Sequence, residues 1–109
     1  MTKIDIVPGS LNAILNKQPG PGRTPSLNVT VDANVEVDWE VKLISATPQG
    51  INPRIKLLRF QVYKPTGIHS DAILRKTFRY EESPAQADYT DVTLENDESD
   101  VTVKVEIVV

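Results

Sequence analysis

The densest group of metal-competent side chains in this 109-residue sequence is Glu95, Asp97, Glu98 and Asp100. Calcium is held by about six to eight oxygens converging on one point. These carboxylates fall between two apolar stretches, on a turn able to present about two or three of them. The alternating acids with a central glycine that a helix–loop–helix calcium loop requires are not there. A solvated acidic turn is expected, with Asp97 and Asp100 as the candidates for a weak metal site. No cofactor is implied elsewhere, and without cysteine the chain has no thiolate site and no disulfide.

Catalytic groups are few. His69 is the one histidine, and Ser70 and Asp71 follow it directly. A hydrolytic triad needs nucleophile, base and orienting acid in mutual contact, whereas neighbours in extended chain point to opposite faces. His69 is expected on a solvated turn. Glu36, Asp38 and Glu40 alternate along one face. Any such neighbours fall within the ~5–9 Å that separates a glycosidase carboxylate pair, so the spacing carries no weight. Pro19-Gly20-Pro21-Gly22 precedes neither a lysine nor a helix, which excludes a phosphate loop. The expectation is that the chain is not an enzyme.

Binding residues are easier to place. Residues 54–79 carry seven basic side chains against Asp71, a local balance of +6, and residues 81–109 carry nine acids against Lys104, a balance of −8. Neighbouring strands of opposite charge can pair across a sheet face, or the asymmetry can steer a charged partner. Arg59, Arg75, Lys76 and Arg79, with Phe60, Tyr63, Phe78 and Tyr80, are the residue types of a single-strand nucleic-acid reader. A net charge of −3 and 6% aromatic content weigh against nucleic acid. Tyr63, Tyr80, Arg59, Arg75 and Arg79 are thus the ligand-binding candidates. With Tyr89, the two tyrosines are also the candidates for a sugar platform.

The elements that must position these residues are strands. From Val29 to Leu43 every odd position is apolar and every even one polar, the period of chain with one face buried and one wet. Trp39 falls in the buried phase, so a place between two sheets is expected. Fifteen residues at ~3.3 Å each would span about 50 Å, against a radius of gyration near ~13 Å for a domain this size. A break is expected at Asp32-Ala33-Asn34, with strands at about 26–31 and 35–45. Residues 1–17 are a first strand or arm, with Leu11, Ile14 and Leu15 either on a short helical turn capped by Ser10 or in extended chain. Residues 18–25 form a Pro/Gly loop, and the remainder, 26–109, completes a single domain. A strand is expected over 55–63 and Lys64-Pro65-Thr66-Gly67 reads as a β-turn. Residues 71–81 suit a strand with Leu74, Phe78 and Tyr80 inward, or a helix pairing Asp71 with Arg75. Residues 89–95 and 101–109 close the chain, Val101, Val103, Val105, Ile107 and Val109 facing inward. About seven strands at this spacing predict an all-β antiparallel sandwich.

Leu27 to Val37 resembles the opening of bacterial immunoglobulin-like modules, including the polycystic-kidney-disease type. Asp88 to Leu94, followed by Val101 to Val105, is similar to their closing strand pair. The resemblance implies an immunoglobulin-like sandwich and no particular activity, since such sandwiches host adhesion, spacing, sugar binding and inhibition. It would make Tyr89 the corner tyrosine of that fold. The phase that Tyr89 shares with Asp91, opposite to Val92 and Leu94, places it outward instead.

The functional expectation is a non-catalytic module for protein–protein contact or assembly, recognition being carried by the loops at 18–25, 47–54 and 83–88. A carbohydrate-binding module is the alternative. Val108 and the last strand read as an edge able to pair with a second copy. No segment has the ~18 apolar residues of a membrane helix, and Asp5 interrupts the first apolar run, which excludes a signal peptide there. The compartment is left open by the sequence, between the cytoplasm and, for a processed or excised module, the cell exterior.

Overall fold

The computed structural model describes residues 4–64, 72–96 and 100–109. Among the described residues nine strands form, at Asp5–Ile6 (β1), Asn12–Asn16 (β2), Ser26–Glu36 (β3), Glu40–Ser45 (β4), Ile55–Tyr63 (β5), Ile73–Glu82 (β6), Asp91–Leu94 (β7), Val101–Lys104 (β8) and Glu106–Val108 (β9). No helix occurs among the described residues, so none there is long and apolar enough to cross a membrane. Leu11 to Leu15 and Ile73 to Glu82 both take the extended alternative.

β3 organises the first sheet. Its inward residues Leu27, Val29, Val31, Ala33 and Val35 are all buried. β6 runs antiparallel along one flank of β3, from Leu27 opposite Glu82 to Glu36 opposite Ile73. β1 and β2 share the other flank end to end. Between them the chain kinks at Pro8-Gly9, where Gly9 takes a left-handed φ of 76° open to glycine without strain. β9 lies parallel to β2 and ends this sheet. The second sheet has the order β4-β5-β7-β8. One core cluster draws on both sheets, with Leu15 and the β3 valines from the first and Leu43, Leu58, Val92 and Leu94 from the second. Phe60 and Phe78 meet edge to face across it at 5.2 Å.

The pairing is mixed, where wholly antiparallel sheets were expected. Two causes account for it. Between β5 and β7 the chain visits the other sheet as β6, so β7 returns beside β5 in the same direction. The last alternating stretch is also cut at Val105: β8 stays with β7, and β9 crosses to β2. Period-two alternation continues through a change of sheet, so it cannot mark one. Ile107 and Val109, expected inward, are exposed on the far side of that crossing.

Asp32-Ala33-Asn34 does not break the strand. Ala33 is buried in phase. Asp32 accepts hydrogen bonds from Arg75 Nη2 at 2.7 Å and Thr77 Oγ1 at 2.7 Å, and Asn34 Nδ2 donates to Asp5 at 3.2 Å. Turn-prone side chains that find partners on neighbouring strands lose the incentive to fold back on their own backbone. An eleven-residue strand of about 36 Å fits because the molecule is elongated, 52 × 28 × 24 Å, with a radius of gyration of 15.3 Å. The turn falls at Val37–Trp39 instead, closed by Trp39 N–H to Glu36 O at 3.1 Å. That moves Trp39 out of the core: it is half-buried, with Lys64 Nζ 5.0 Å from its ring centroid.

Leu58 has no exposed surface and Ile51 is fully exposed. Leu58→Ala is expected to lower unfolding free energy by about 3 kcal/mol, and Ile51→Ala to change it by less than about 0.5 kcal/mol. Urea titration of both variants measures the difference.

Candidate functional site

Three connections meet at one end of the molecule: β2 to β3, β4 to β5, and β6 to β7. The Ala85 N–H donates to Pro25 O at 2.7 Å, and Lys17 Nζ to Ala87 O at 3.2 Å. Gln86 Nε2 donates to Pro53 O at 2.7 Å, and the Thr90 N–H to Arg54 O at 2.8 Å. Arg54 and Asp88 form an exposed ion pair at 3.7 Å. Each loop also has local closure. Gly22, at a φ of 71°, sits within the turn that the Arg23 N–H closes by donating to Gly20 O at 3.1 Å. The Gln49 amide donates to Leu57 O at 2.9 Å and accepts the Leu57 N–H at 2.9 Å, standing in for a paired strand residue.

Beneath these loops lies a polar cluster joining the two sheets. Lys56 on β5 points inward in phase with Leu58 and is 9% exposed. Its Nζ lies 2.8 Å from Glu82 Oε1 on β6. Tyr80 OH donates to the same oxygen at 2.8 Å, and Tyr89 OH donates to Glu82 Oε2 at 2.7 Å. The ammonium also sits 5.7 Å from the Tyr80 ring centroid. Burial pushes the Glu82 carboxyl up, but the hydrogen bonds from Lys56, Tyr89 and Tyr80 together hold it below its usual 4.5. Burial pulls Lys56 down, and Glu82 with Tyr80 outweighs that to keep it above 10.5. Burial and then Glu82 raise Tyr89 well above 10.0, and Tyr80 moves the same way. Every shift deepens the state each group already holds at neutral pH. General acid–base work wants a group poised near the operating pH, so this cluster is built as a tie.

The sequence-singled residues do not converge. Tyr63 is 55% exposed near the Trp39 turn, opposite Glu40. Tyr80 is half-buried in the cluster just described. Arg59 is on the second sheet, its Nη2 donating to Thr47 O at 3.0 Å and lying 3.4 Å from Glu95. Arg75 and Arg79 are on the first sheet, Arg75 bonded to Asp32. Phe60 and Phe78 face each other inside the core, so no stacking surface assembles with the arginines. The Asp100 carboxylate accepts the Asn96 N–H at 3.2 Å. Asp97, Glu98, His69, Ser70 and Asp71 lie outside the described residues, and no group of three metal-competent side chains forms among the described ones. Tyr89 is buried, against its expected phase, because β7 begins only at Asp91 and strand alternation does not reach it. Comparison with models of protein families, with curated proteins and with solved structures finds no significant match.

Glu82→Ala leaves the Lys56 ammonium unpaired in a largely dry site. It is expected to destabilise the protein by about 2–3 kcal/mol, below the fully buried limit because Glu82 keeps some water contact. Lys56→Met, Glu82→Leu, Tyr80→Phe and Tyr89→Phe together should recover most of that loss, since no donor is then left without its acceptor, measured by urea titration. The pH dependence has two arms. A lowered carboxyl favours folding above 4.5, and that contribution is lost as pH falls through the depressed native value. Raised Tyr80, Tyr89 and Lys56 favour folding below 10.0 to 10.5, and theirs is lost as pH rises through the native values. Unfolding free energy measured against pH should therefore lose these alkaline contributions and keep a smaller acid arm, the part due to Asp32, in the Lys56→Met, Glu82→Leu, Tyr80→Phe, Tyr89→Phe variant.

Proposed function

We propose that the chain is a non-catalytic, immunoglobulin-like β-sandwich whose loop end holds a partner protein. The observation that carries this reading is the convergence of the three connections on one another above the Lys56–Glu82 tie. Loops on a rigid base are the usual carriers of recognition, because their backbone is exposed while their ends are fixed. The tie supports binding over catalysis, since its groups are moved away from neutral pH. Two layers sharing one core, with the strand pair β3–β6 in one and the chain crossing from β8 to β9 in the other sheet at Val105, fit a sandwich with a switched last strand. The carbohydrate reading has less support: Tyr63 and Tyr80 are on different sheets, and the Tyr80 hydroxyl is engaged by Glu82.

A photo-crosslinking residue placed at Arg23 or Gln86 should give a discrete protein adduct in the native host, suppressed by excess unlabelled protein. The same probe at Thr102, on the outer face of the second sheet, should give none. Equal labelling from all three positions, or none from any, contradicts a recognition role for the loop end.

A further inference from the structure

A second surface lies along one flank, between the strands that end the two sheets. β4 is terminal in the second sheet and β6 pairs with β3 alone. Each therefore leaves one row of backbone N–H and C=O groups without a ladder partner among the described residues. The two edges are neighbours, and no backbone hydrogen bond joins them among the described residues. They flank a cleft of about 450 Å³ lined by Val41, Lys42, Leu43, Ile44, Thr77, Phe78 and Arg79. Its floor is apolar, from Val41, Leu43 and Phe78; its charged lining is wholly basic, from Lys42 and Arg79. Lys42 makes a long, exposed contact with Glu40 at 3.8 Å, and no ion pair engages Arg79 among the described residues.

We propose that this cleft takes an extended, acidic segment of a partner protein as an added strand on the free edge of β6. Backbone pairing would satisfy the open row on β6, and alternate apolar side chains would cover Phe78, Val41 and Leu43. The intervening carboxylates would meet Lys42 and Arg79. Charge also selects against the simplest rival. A second copy offers the same basic edge, and like charges brought together oppose that pairing. The proposal rests on the interaction-module reading but uses a surface other than the loop end.

Fluorescence anisotropy with a labelled peptide of about ten residues, alternating valine and glutamate, tests it. Binding is expected, weakening as salt rises, with amide shifts in Val41–Ile44 and Thr77–Arg79 by NMR. A valine–lysine peptide should not bind. Lys42→Glu with Arg79→Glu should weaken binding at least about tenfold with unchanged circular dichroism. N-methylation at alternate peptide positions should abolish binding of the acidic peptide to the unmodified protein. Retained binding after N-methylation, or shifts outside the cleft, overturns strand addition. A dimer seen by sedimentation whose contact maps to the cleft assigns it to a second copy and overturns the proposal as well. If the peptide fails while the adduct from Arg23 persists, the cleft falls and the module reading stands. Loss of the adduct with peptide still bound is the reverse result.

Discussion

One carboxylate holds three separate parts of the chain. Glu82 accepts from Lys56 on the opposite sheet, from Tyr80 two residues back on its own strand, and from Tyr89 beyond the crossing loop. A charged group taken largely out of water is tolerated only while its hydrogen-bonding capacity is filled. That requirement sets where β5 can sit relative to β6. It also sets where residues 83–90 must pass to deliver Tyr89. The contacts of Ala85 and Gln86 with the other two connections follow from that path. The geometry of the loop end is thus a consequence of satisfying one buried charge.

The opposite face of the first sheet follows a wetter version of the same rule. Asp32 lies directly across from Thr77 and takes Thr77 and Arg75 as donors, which hold its carboxyl below the usual range. Ser10 Oγ accepts the Asp32 N–H at 3.0 Å, bringing the β1–β2 kink against the same residue. On the second sheet Thr93 and Thr102 pair hydroxyl to hydroxyl at 2.8 Å. These contacts stand on exposed faces and contribute modestly to stability. They specify register, since a one-residue slip would turn the apolar set of β3 outward.

The strand content was legible because β3 keeps its alternation for eleven residues and its buried phase matches the structure. The loops at 18–25, 47–54 and 83–88 were legible from proline and glycine, though nothing local told that they meet. What escaped the sequence depends on topology. Asp32 and Asn34 look like turn residues until β6 and β1 supply their partners. Trp39 reads as core until the turn that ends β3 takes it away. Val105 carries no mark of the change of sheet. The polar cluster did leave a trace: Lys56 and Glu82 occupy the inward phases of strands whose neighbours there are Leu58 and Phe78. A charge in a buried phase calls for an opposite charge in another, and these two answer each other. Tyr89 left no such trace, because it stands outside any strand.

If the Glu82 carboxylate organises the loop end, losing it should loosen that end first. Native-state hydrogen exchange by NMR on Glu82→Ala reads this at two amides, Ala85 bonded to Pro25 and Thr90 bonded to Arg54. The expected result is faster exchange at Ala85 and Thr90 than the global loss of stability explains, with the β3–β6 amides near Val31 following global unfolding alone. Uniform acceleration across both regions, or unchanged protection at Ala85 and Thr90, would contradict the account.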